Sequence, residues 1–317
     1  MPEILIFDKS HVEKAKKLAI MNYNLERAIV PALPQIHNIP DLASSAENGL
    51  GVAMFDGDEM LGFLCCHKPW DNAFNSTARG TFVPLYAHGA VRENREMIYK
   101  KLYQAAAKEW VNQKITYHTI SLYAHDSQVL NAFFTNGFGL RCVDAVRELE
   151  TIECCLCTDT GIIFEELPKA DVIKVRELRH KLNEHLSESP CFMRFSPERL
   201  DQWLKSVESR DSRIYAAMNN DEPVAFIEVR KSGETFAAEA KSMMNIGNTF
   251  CLPEYRGKDV IQGLLNHVIM VLKAEGYESV GVDFESFNPA AHGFWLKYFT
   301  AYSNSVARRI DECVLRY

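Results

Sequence analysis

Residues 251–265 read CLPEYRGKDVIQGLL, and the expected fold follows from this stretch. The pattern predicts the end of a strand, a short turn over residues 256–258, and the start of an amphipathic helix. The N-terminus of a helix carries roughly half a positive charge and presents N–H groups that no helical carbonyl accepts. A strand–turn–helix unit of this kind is suited to hold a phosphate.

A second segment follows at residues 288–299, where the chain reads NPAAHGFWLKYF. Asn288 ahead of Pro289 predicts the start of a helix, which then carries several aromatic side chains. The two segments, in this order, resemble the acetyl-CoA-binding core of the GCN5-related N-acetyltransferase (GNAT) superfamily. The resemblance is sharpest across residues 250–299.

Length and composition are compatible with two globular domains. At about 100–200 residues per domain, a chain of 317 residues predicts two. Hydrophobic residues make up 47% of the chain and charged residues 24%, which is ordinary for a soluble protein. The net charge of -7 argues against a general nucleic-acid binder, which needs a basic surface. The same charge is compatible with a cationic amine substrate.

No apolar run approaches the ~18–20 residues that cross a membrane, and residues 1–8 lack the features of a signal peptide. We therefore expect a cytoplasmic protein. The nine cysteines include a dense group, Cys154, Cys155 and Cys157, with no histidine or second cysteine pair at zinc-ligand spacing nearby. We expect reduced thiols and no metal site, and a redox or metal role is the less favoured alternative.

One pattern of strands and helices occurs twice along the chain. Two pairs of positions have nearly the same spacing between the copies: Arg95 pairs with Arg256, and Asp126 pairs with Asn288. Such agreement across two separate segments predicts an internal repeat.

The repeat predicts two domains, residues 1–152 and 153–317, and the resemblance implies that they are tandem GNAT-like domains of mixed α/β class. Each is expected to be a mainly antiparallel sheet with helices on both faces. In the second copy, Ser196 before Pro197 predicts the start of a helix. Strands are expected over residues 81–91 of the first copy and over residues 236–242 of the second.

The resemblance implies a site for acetyl-CoA in the second copy. Main-chain groups at the end of the central strand would hold the pantetheine arm, and amides of the turn would hold the pyrophosphate. It assigns acetyl-CoA contacts to Phe250, Cys251, Leu252, Arg256, Gly257, Lys258, Asp259, Val260, Ile261, Asn288, Ala291 and Trp295.

The chain departs from the family pattern at Asp259 and Ile261, where glycines are expected. A carboxylate about 4 Å from a phosphate is repelled by ~4 kcal/mol at an effective dielectric constant of ~20. Asp259 must therefore point away from the pyrophosphate. Its side chain could instead cap the helix.

The resemblance also implies catalytic roles. A tyrosine often protonates the leaving thiolate in this family, but its position holds Trp295, whose indole N–H is not a useful acid. Tyr298 lies three residues further on and could substitute, although a packed core aromatic is an equal alternative. The amide of Leu252 is expected to polarise the thioester carbonyl.

The general base is expected among the acidic residues of the predicted strands, Glu228, Glu239, Asp283 and Glu285. Alternation along a strand places Asp283 and Glu285 on one face of the sheet. We favour Glu285 as the base, with Asp283 and Glu239 behind it. The structural alternative for Glu285 is an ion pair with an arginine of the last strand, Arg308 or Arg309.

The first copy keeps less of the family pattern. Its turn, VRENREMI at residues 91–98, contains no glycine. Asp126 and Phe133 stand at the positions of Asn288 and Trp295, and phenylalanine cannot transfer a proton. The resemblance therefore implies a degenerate N-terminal copy that shapes the substrate cleft or the interface.

These features predict an enzyme, an N-acetyltransferase that moves the acetyl group of acetyl-CoA directly to a small-molecule or peptide amine. No metal, nucleic-acid or membrane partner is expected. Two alternatives stay open. The chain could be a non-catalytic tandem protein that binds acyl-CoA or another ligand, or a protein in which neither half binds CoA.

Overall fold

The computed structural model of the chain describes residues 2–153, 161–196, 198–209 and 212–316. Cys154, Cys155 and Cys157 lie outside these residues, as does the predicted helix start at Pro197. The helix that comes next along the chain is observed over Arg199–Ser209.

The elements alternate along the chain as the sequence pattern predicts. The strands are β1 (Glu3–Ile6), β2 (Val52–Asp56), β3 (Glu59–Leu64), β4 (Gly80–Val83), β5 (His88–Ala90), β6 (Tyr117–Tyr123), β7 (Gly139–Glu148), β8 (Ile162–Leu167), β9 (Arg213–Asn219), β10 (Glu222–Arg230), β11 (Met243–Cys251), β12 (Ser279–Glu285) and β13 (Thr300–Arg309). The α-helices are α1 (Val12–Ile29), α2 (Ala43–Glu47), α3 (Arg95–Asn112), α4 (Ser127–Phe134), α5 (Arg176–Ser187), α6 (Arg199–Ser209), α7 (Val260–Ala274) and α8 (Pro289–Tyr298).

The chain forms two compact units. The N-terminal unit contains residues 1–31, 35–144 and 301–317, and the C-terminal unit contains residues 32–34 and 145–300. These units differ from the predicted halves chiefly in the last strand, because β13 pairs within the N-terminal unit. The division into domains after residue 152 stays a prediction.

The N-terminal unit contains an antiparallel sheet in the order β1-β2-β3-β5. A second set of strands joins β4 to β6 in parallel and β6 to β13 antiparallel, from Ser303 opposite Tyr123 to Arg309 opposite Tyr117. Aromatic side chains of α3 and α4 fill the core, where Trp110 and Phe133 are almost fully buried. Burial of such large apolar surfaces is the main force that holds the unit together.

The C-terminal unit contains the strands β12-β11-β10-β9-β8 in that order, antiparallel except for the parallel pair of β11 and β12. Leu178 of α5 and Trp203 of α6 pack on one face of the sheet against Phe226 and Phe250. On the other face, His267 of α7 contacts the ring of Tyr215 in β9. The predicted mixed α/β class, with helices on both faces of a mainly antiparallel sheet, is confirmed.

Two predicted strands are wrong in detail. The first copy's predicted strand over residues 81–91 is split into β4 and β5, because Pro84 has no N–H for a sheet ladder and its carbonyl closes a turn by accepting from Ala87. The strand predicted over residues 236–242 is a 3-10 turn over Phe236–Glu239. The buried amide of Asn245 holds that turn by donating to the carbonyl oxygens of Lys231 and Ala238.

The repeat is also shifted at one place. Asn94 and Asp259 precede α3 and α7, and both have a left-handed backbone, with φ of 52° and 56°. Arg95 therefore corresponds to Val260 rather than to Arg256, and the predicted pairing of the two arginines is wrong as an alignment. Asp126 and Asn288 do correspond, because each caps the next helix with its side chain.

We expect a fragment of residues 1–152 to fail to fold cooperatively, because it lacks β13 and leaves the edge of β6 unpaired. Addition of a peptide of residues 300–316 should restore a cooperative transition. Thermal unfolding followed by circular dichroism checks both expectations. A sharp transition of the fragment alone, at the temperature of the full chain, would contradict them.

Candidate functional site

The parallel strands β11 and β12 separate part of the way along their length. They pair from Met243 opposite Ser279 to Ile246 opposite Val282, and no later pair forms between them. On its other side β11 stays paired with β10 as far as Cys251. A wedge-shaped opening therefore lies between residues 247–251 of β11 and residues 283–285 of β12.

A β-bulge in β11 lies at the start of this opening. Ile227 pairs with Thr249 but Val229 pairs with Ile246, so Glu228 faces two residues of β11 instead of one. A bulge bends its strand and increases the local twist. It accounts for the departure of β11 from β12.

Alternation of hydrogen bonds in the β10–β11 ladder decides which groups face the opening. The N–H of Leu252 donates to the carbonyl of Val224 at 3.0 Å, so this amide points toward β10. The expectation that Leu252 polarises a thioester carbonyl is wrong on this geometry. Cys251, one residue earlier, belongs to the alternate kind of pair, and its N–H and C=O face away from β10. Its carbonyl accepts from the Nε of Arg256 at 3.0 Å.

The turn after β11 presents its backbone to solvent. Gly257 has φ of 71°, and a Cβ built there would meet no atom within 4 Å. Helical hydrogen bonding starts with the N–H of Gly263, which donates to Asp259 at 2.9 Å. Within the described part of the chain, no hydrogen bond of ordinary geometry joins the N–H groups of residues 257–262 to a protein acceptor. The turn therefore offers a run of amides to an anion.

Two cations lie beside these amides. The guanidinium of Arg256 lies 5.4 Å from the ring centre of Phe250, and the ammonium of Lys258 lies 5.9 Å from the ring centre of Tyr255. Tyr255 is held in place because its hydroxyl accepts from Asn219 at 2.8 Å. The positive charge of the site is thus placed by aromatic rings as well as by hydrogen bonds.

The two departures from the glycine pattern have different consequences. Asp259 has a positive φ, which glycine adopts freely and aspartate tolerates better than most residues. It occupies the N-cap position, but its side chain makes no capping hydrogen bond, so the predicted capping role is wrong. Ile261 lies in the first turn of α7 next to the buried Val260.

The segment at residues 288–299 has a mainly structural geometry. Asn288 is only 7% exposed, and its Oδ1 accepts from the N–H of Ala291 at 3.4 Å. The same oxygen lies 3.4 Å from Nε2 of His185. Trp295 is buried, with its ring in edge-on contact with Phe299. Asn288 therefore has a structural role as a helix cap, and Trp295 has one in packing.

Tyr298 lies at the far end of α8 from the opening. A helix of ten residues is about 14 Å long. The carbonyl of Tyr298 accepts from Arg147 of β7 at 3.3 Å. Leu149, two residues later, bonds to Glu278 just before the start of β12. The C-terminal end of α8 therefore lies near the start of β12 rather than its separated end. The acid role of Tyr298 stays a prediction, which this placement does not favour.

The predicted acidic residues divide into two groups. Asp283 and Glu285 lie on the separated end of β12, whereas Glu239 is exposed in the 3-10 turn. Burial, helped by Glu234, raises the pKa of Asp283 to about 7, although Arg230 nearby opposes this rise. The Nη2 of Arg230 lies 3.6 Å from Oδ1 of Asp283.

The proposed partners of Glu285 in the last strand have other contacts. Arg308 donates to the hydroxyl of Tyr103 at 3.4 Å, and Arg309 forms an ion pair with Glu312. These contacts keep both arginines within the N-terminal unit.

The sequence placed Glu228 among the candidate acids but did not show the group of residues that surrounds it at the bulge. Glu228 is 3% exposed, and its Oε2 accepts from the indole of Trp203 at 3.0 Å and from Asn248 at 2.5 Å. Arg230, two residues further along β10, reaches Asp283 from the same strand face. The only available signal was the alternation of Glu228 and Arg230, because a bulge has no sequence signature here.

The corresponding opening in the N-terminal unit is filled by side chains. Val83 opposite Ile120 is the last pair of β4 and β6. Nε2 of the buried His88 lies 2.8 Å from the carbonyl of Ser121, the next residue of β6. Burial lowers the pKa of His88 to about 4.

Arg95 fills the rest of this space. Its Nε bonds to Asp126 at 2.6 Å, and its other nitrogens donate to the side chain of Asn22 and the carbonyl of Ala90. Ala90 corresponds to Cys251 in the repeat, because Val91 and Leu252 donate equivalent hydrogen bonds to their neighbouring strands. Arg95 and Arg256 therefore contact matching carbonyls from different positions of the chain.

No helix in the described residues is both long and apolar enough to span a membrane. The same residues contain no group of three or more histidine, cysteine or acidic side chains arranged to hold a metal ion.

Comparisons with known proteins agree with this geometry. Residues 179–299 match the family model described as "Acetyltransferase (GNAT) family". The chain is similar to the crystal structure of a GCN5-related N-acetyltransferase from Sphaerobacter thermophilus, with 12% identity, a TM-score of 0.60, and coverage of 97% of this chain and 95% of that one. No curated protein matches the sequence significantly.

A second fold similarity is to the GCN5-related glucosamine N-acetyltransferase region of a fungal multi-domain GH3 β-N-acetylglucosaminidase. It has 12% identity and a TM-score of 0.51, and covers 97% of this chain and 38% of that one. At such identities the similarity concerns the fold.

We expect Arg95→Met to destabilise the N-terminal unit by about 3–5 kcal/mol, because it leaves Asp126 without its buried cationic partner. The Arg95 side chain is only 6% exposed. Lys100→Met, in the same helix, removes an exposed pair with Glu96 and should leave the unfolding midpoint nearly unchanged. Urea unfolding measures both variants, and equal small effects would contradict the buried role of Arg95.

Proposed function

Because residues 179–299 match the model of the acetyltransferase (GNAT) family, we propose that this protein is an acetyl-CoA-dependent N-acetyltransferase with acetyl-CoA bound in its C-terminal unit. The acceptor is an amine, and the acetyl group passes to it directly. Acetyl-CoA is a substrate of this reaction, and the residues that would hold it belong to β11 and the turn after it.

The strongest support for this proposal is that the open edge of β11 and the exposed amides of the turn follow each other directly along the chain. The open edge of β11 ends at Cys251, and the amides of residues 257–262 follow within a few residues. An extended pantetheine arm needs main-chain partners along a strand, and a pyrophosphate needs N–H groups at a helix start. Both kinds of partner occur here in the order that one CoA molecule requires.

Some charges at the turn favour binding of the CoA phosphates, and one opposes it. Arg256 and Lys258 supply positive charge next to the exposed amides. Asp259 supplies negative charge at the same turn, and its φ of 56° shows why a glycine is expected there. We infer that CoA binds with its phosphates on the side of the cations, at an affinity reduced by Asp259.

The residues of the opening would orient the reactants and stabilise charge. The N–H of Cys251 faces the opening and is the candidate donor to the carbonyl oxygen of the thioester, in place of Leu252. Proximity of amine and thioester supplies much of the acceleration. With Tyr298 at the other end of α8, departure of the thiolate would depend on solvent or on the proton of the attacking amine.

We also propose that the N-terminal unit does not bind CoA. His88 and Arg95 occupy the space that corresponds to the opening between β11 and β12. Displacement of Arg95 would leave Asp126 unpaired, which is unfavourable for a buried ion pair. One CoA per chain is therefore expected.

A second candidate function is binding without transfer. It is favoured by Asp259 and by the burial of Trp295 at the position of the usual tyrosine. The two candidates differ in one product, because only transfer releases free CoA thiol.

We expect calorimetry with CoA to give one site per chain, and Arg256→Glu to weaken binding roughly 30-fold. The reversal replaces about 1 kcal/mol of attraction at an exposed site by a similar repulsion. Arg92→Glu, in the turn of the N-terminal unit, has the same charge change and should leave affinity unchanged. Asp259→Asn should tighten binding severalfold. Two sites per chain, or equal effects of the two reversals, would contradict the proposed site.

We expect thiol release when the protein is mixed with acetyl-CoA and a panel of primary amines, for example butylamine, putrescine, glycinamide and glucosamine. A thiol-reactive dye measures the rate, and reactions without amine are the control. Release above the control by at least one amine is the expected result. Binding of CoA with no release by any primary amine, in a panel extended to amino acids and peptides, would favour the binding protein.

A further inference from the structure

The first residue of β12 beyond its last pair with β11 is Asp283. Val282 still pairs with Ile246, so Asp283 is the point at which the wedge between the strands begins. Its side chain is 28% exposed and reaches Arg230, with 3.6 Å between Oδ1 and Nη2. This carboxylate lies on the face of the sheet that carries α5 and α6, beside the residues where the opening begins.

We propose that Asp283 is the general base of the acetyl transfer, which accepts the proton of the acceptor ammonium in the opening. This inference rests on the proposed function and goes further by naming the catalytic residue. The sequence favoured Glu285 for this role, because nothing in the pattern shows where the parallel pairing stops.

The position of Asp283 matches the geometry that the reaction needs. The N–H of Cys251 faces the opening from β11, and Asp283 stands at the start of the opening on β12, with its side chain on the sheet face of Arg230. A thioester carbonyl held by the first group and an amine held by the second would meet between the strands. A general base must lie within hydrogen-bond reach of the proton that it takes, directly or through one water.

Surrounding charges tune this carboxylate in a way that can be tested. The charged groups that act on it are Arg230 on β10, Glu234 in the loop after β10, and Glu285 on β12. Glu228 lies on the same face of β10 as Arg230, and Cys191, in the loop after α5, lies near Glu285. Burial has the largest effect and raises the pKa of Asp283 to about 7, with further increases from Glu234 and Glu285. Arg230 lowers it. A base with a pKa close to the working pH combines a large fraction of the active form with useful basicity.

The other acids nearby are less suited to the role. Both hydrogen bonds to Glu228 end on its Oε2, one from Trp203 and one from Asn248, so this carboxylate positions the bulge. Glu239 is exposed in its 3-10 turn. Glu285 lies near the thiol of Cys191. Burial raises the pKa of this thiol, and the charge of Glu285 raises it further. It acts on Asp283 through its charge.

The N-terminal unit lacks this group at the matching place. There the residue after the last parallel pair is Ser121, and its carbonyl oxygen lies 2.8 Å from Nε2 of His88. Tyr123 stands two residues further along β6, where β12 has Glu285. The carboxylates therefore occur only in the unit that keeps the opening.

The proton and electron pairs balance in the proposed step. The Asp283 carboxylate takes one proton from the acceptor ammonium, and the free amine attacks the thioester carbonyl to form the carbon–nitrogen bond. The carbon–sulfur bond then breaks, and the thiolate receives the second proton lost by the nitrogen. Acetylamide and CoA thiol are the products, and Asp283 returns its proton to solvent.

The test is the pH dependence of thiol release from acetyl-CoA with the fastest amine of the panel. We expect the wild-type rate to fall as the pH drops through about 7, because protonation removes the acceptor form of Asp283. Asp283→Asn should lower kcat by roughly 100-fold or more, with CoA affinity within about twofold. Glu239→Gln is the matched control and should leave the profile unchanged.

Two further variants separate a catalytic role from a structural one. Arg230→Gln removes the cation that lowers the pKa, so the acid limb of the profile should move to higher pH. Glu234→Gln removes a repelling charge, so the limb should move to lower pH. Asparagine or glutamine replacements that simply damaged the fold would reduce CoA binding and would not move the limb in opposite directions.

If the Asp283→Asn variant released thiol at the wild-type rate and with the wild-type pH profile, the base assignment would be overturned. The proposed function would stay intact. Loss of activity in Glu285→Gln but not in Asp283→Asn would overturn it in favour of Glu285. CoA binding without thiol release from any amine by the wild-type protein would overturn the proposed function itself.

Discussion

The backbone of β11 has to satisfy hydrogen-bonding groups on two sides, and the rest of the site depends on how it does so. On one side β10 pairs with it from Asn245 to Cys251, with the bulge between Ile246 and Thr249. On the other side β12 pairs only as far as Val282, because the bulge opposite Glu228 bends β11 away. Backbone groups that lose a strand partner need water, a side chain or a ligand. The wedge is therefore a consequence of one extra residue in one strand.

The two units meet the same requirement in different ways. In the N-terminal unit, His88 reaches the carbonyl of Ser121, and Arg95 reaches the carbonyl of Ala90 and the carboxylate of Asp126. Its own side chains complete the hydrogen bonding and fill the space. In the C-terminal unit, Arg256 occupies one carbonyl and the adjacent amides of the turn stay exposed. The N-terminal opening is thus filled by side chains, whereas the C-terminal opening keeps exposed backbone amides beside it.

The turn before each long helix is governed by a second constraint. Asn94 and Asp259 both take a left-handed backbone, which glycine adopts without cost and which asparagine and aspartate tolerate. The short side chains preserve the turn where glycine is absent. At Asp259 this solution introduces a negative charge next to the amides, so the backbone geometry and the electrostatics of the site oppose each other.

Local patterns in the sequence predicted the strand–turn–helix unit, the helix that follows Asn288 and the α/β class, because periodicity and turn chemistry act over a few neighbouring residues. The direction of the Leu252 amide, the distance of Tyr298 from the opening and the pairing of β13 with β6 depend on strands that are far apart in the chain. So does the raised pKa of Asp283, since burial and the charges of Glu234 and Arg230 arise only in the folded sheet. The sequence by itself determined which elements form, and the tertiary structure decided which of their polar groups face one another.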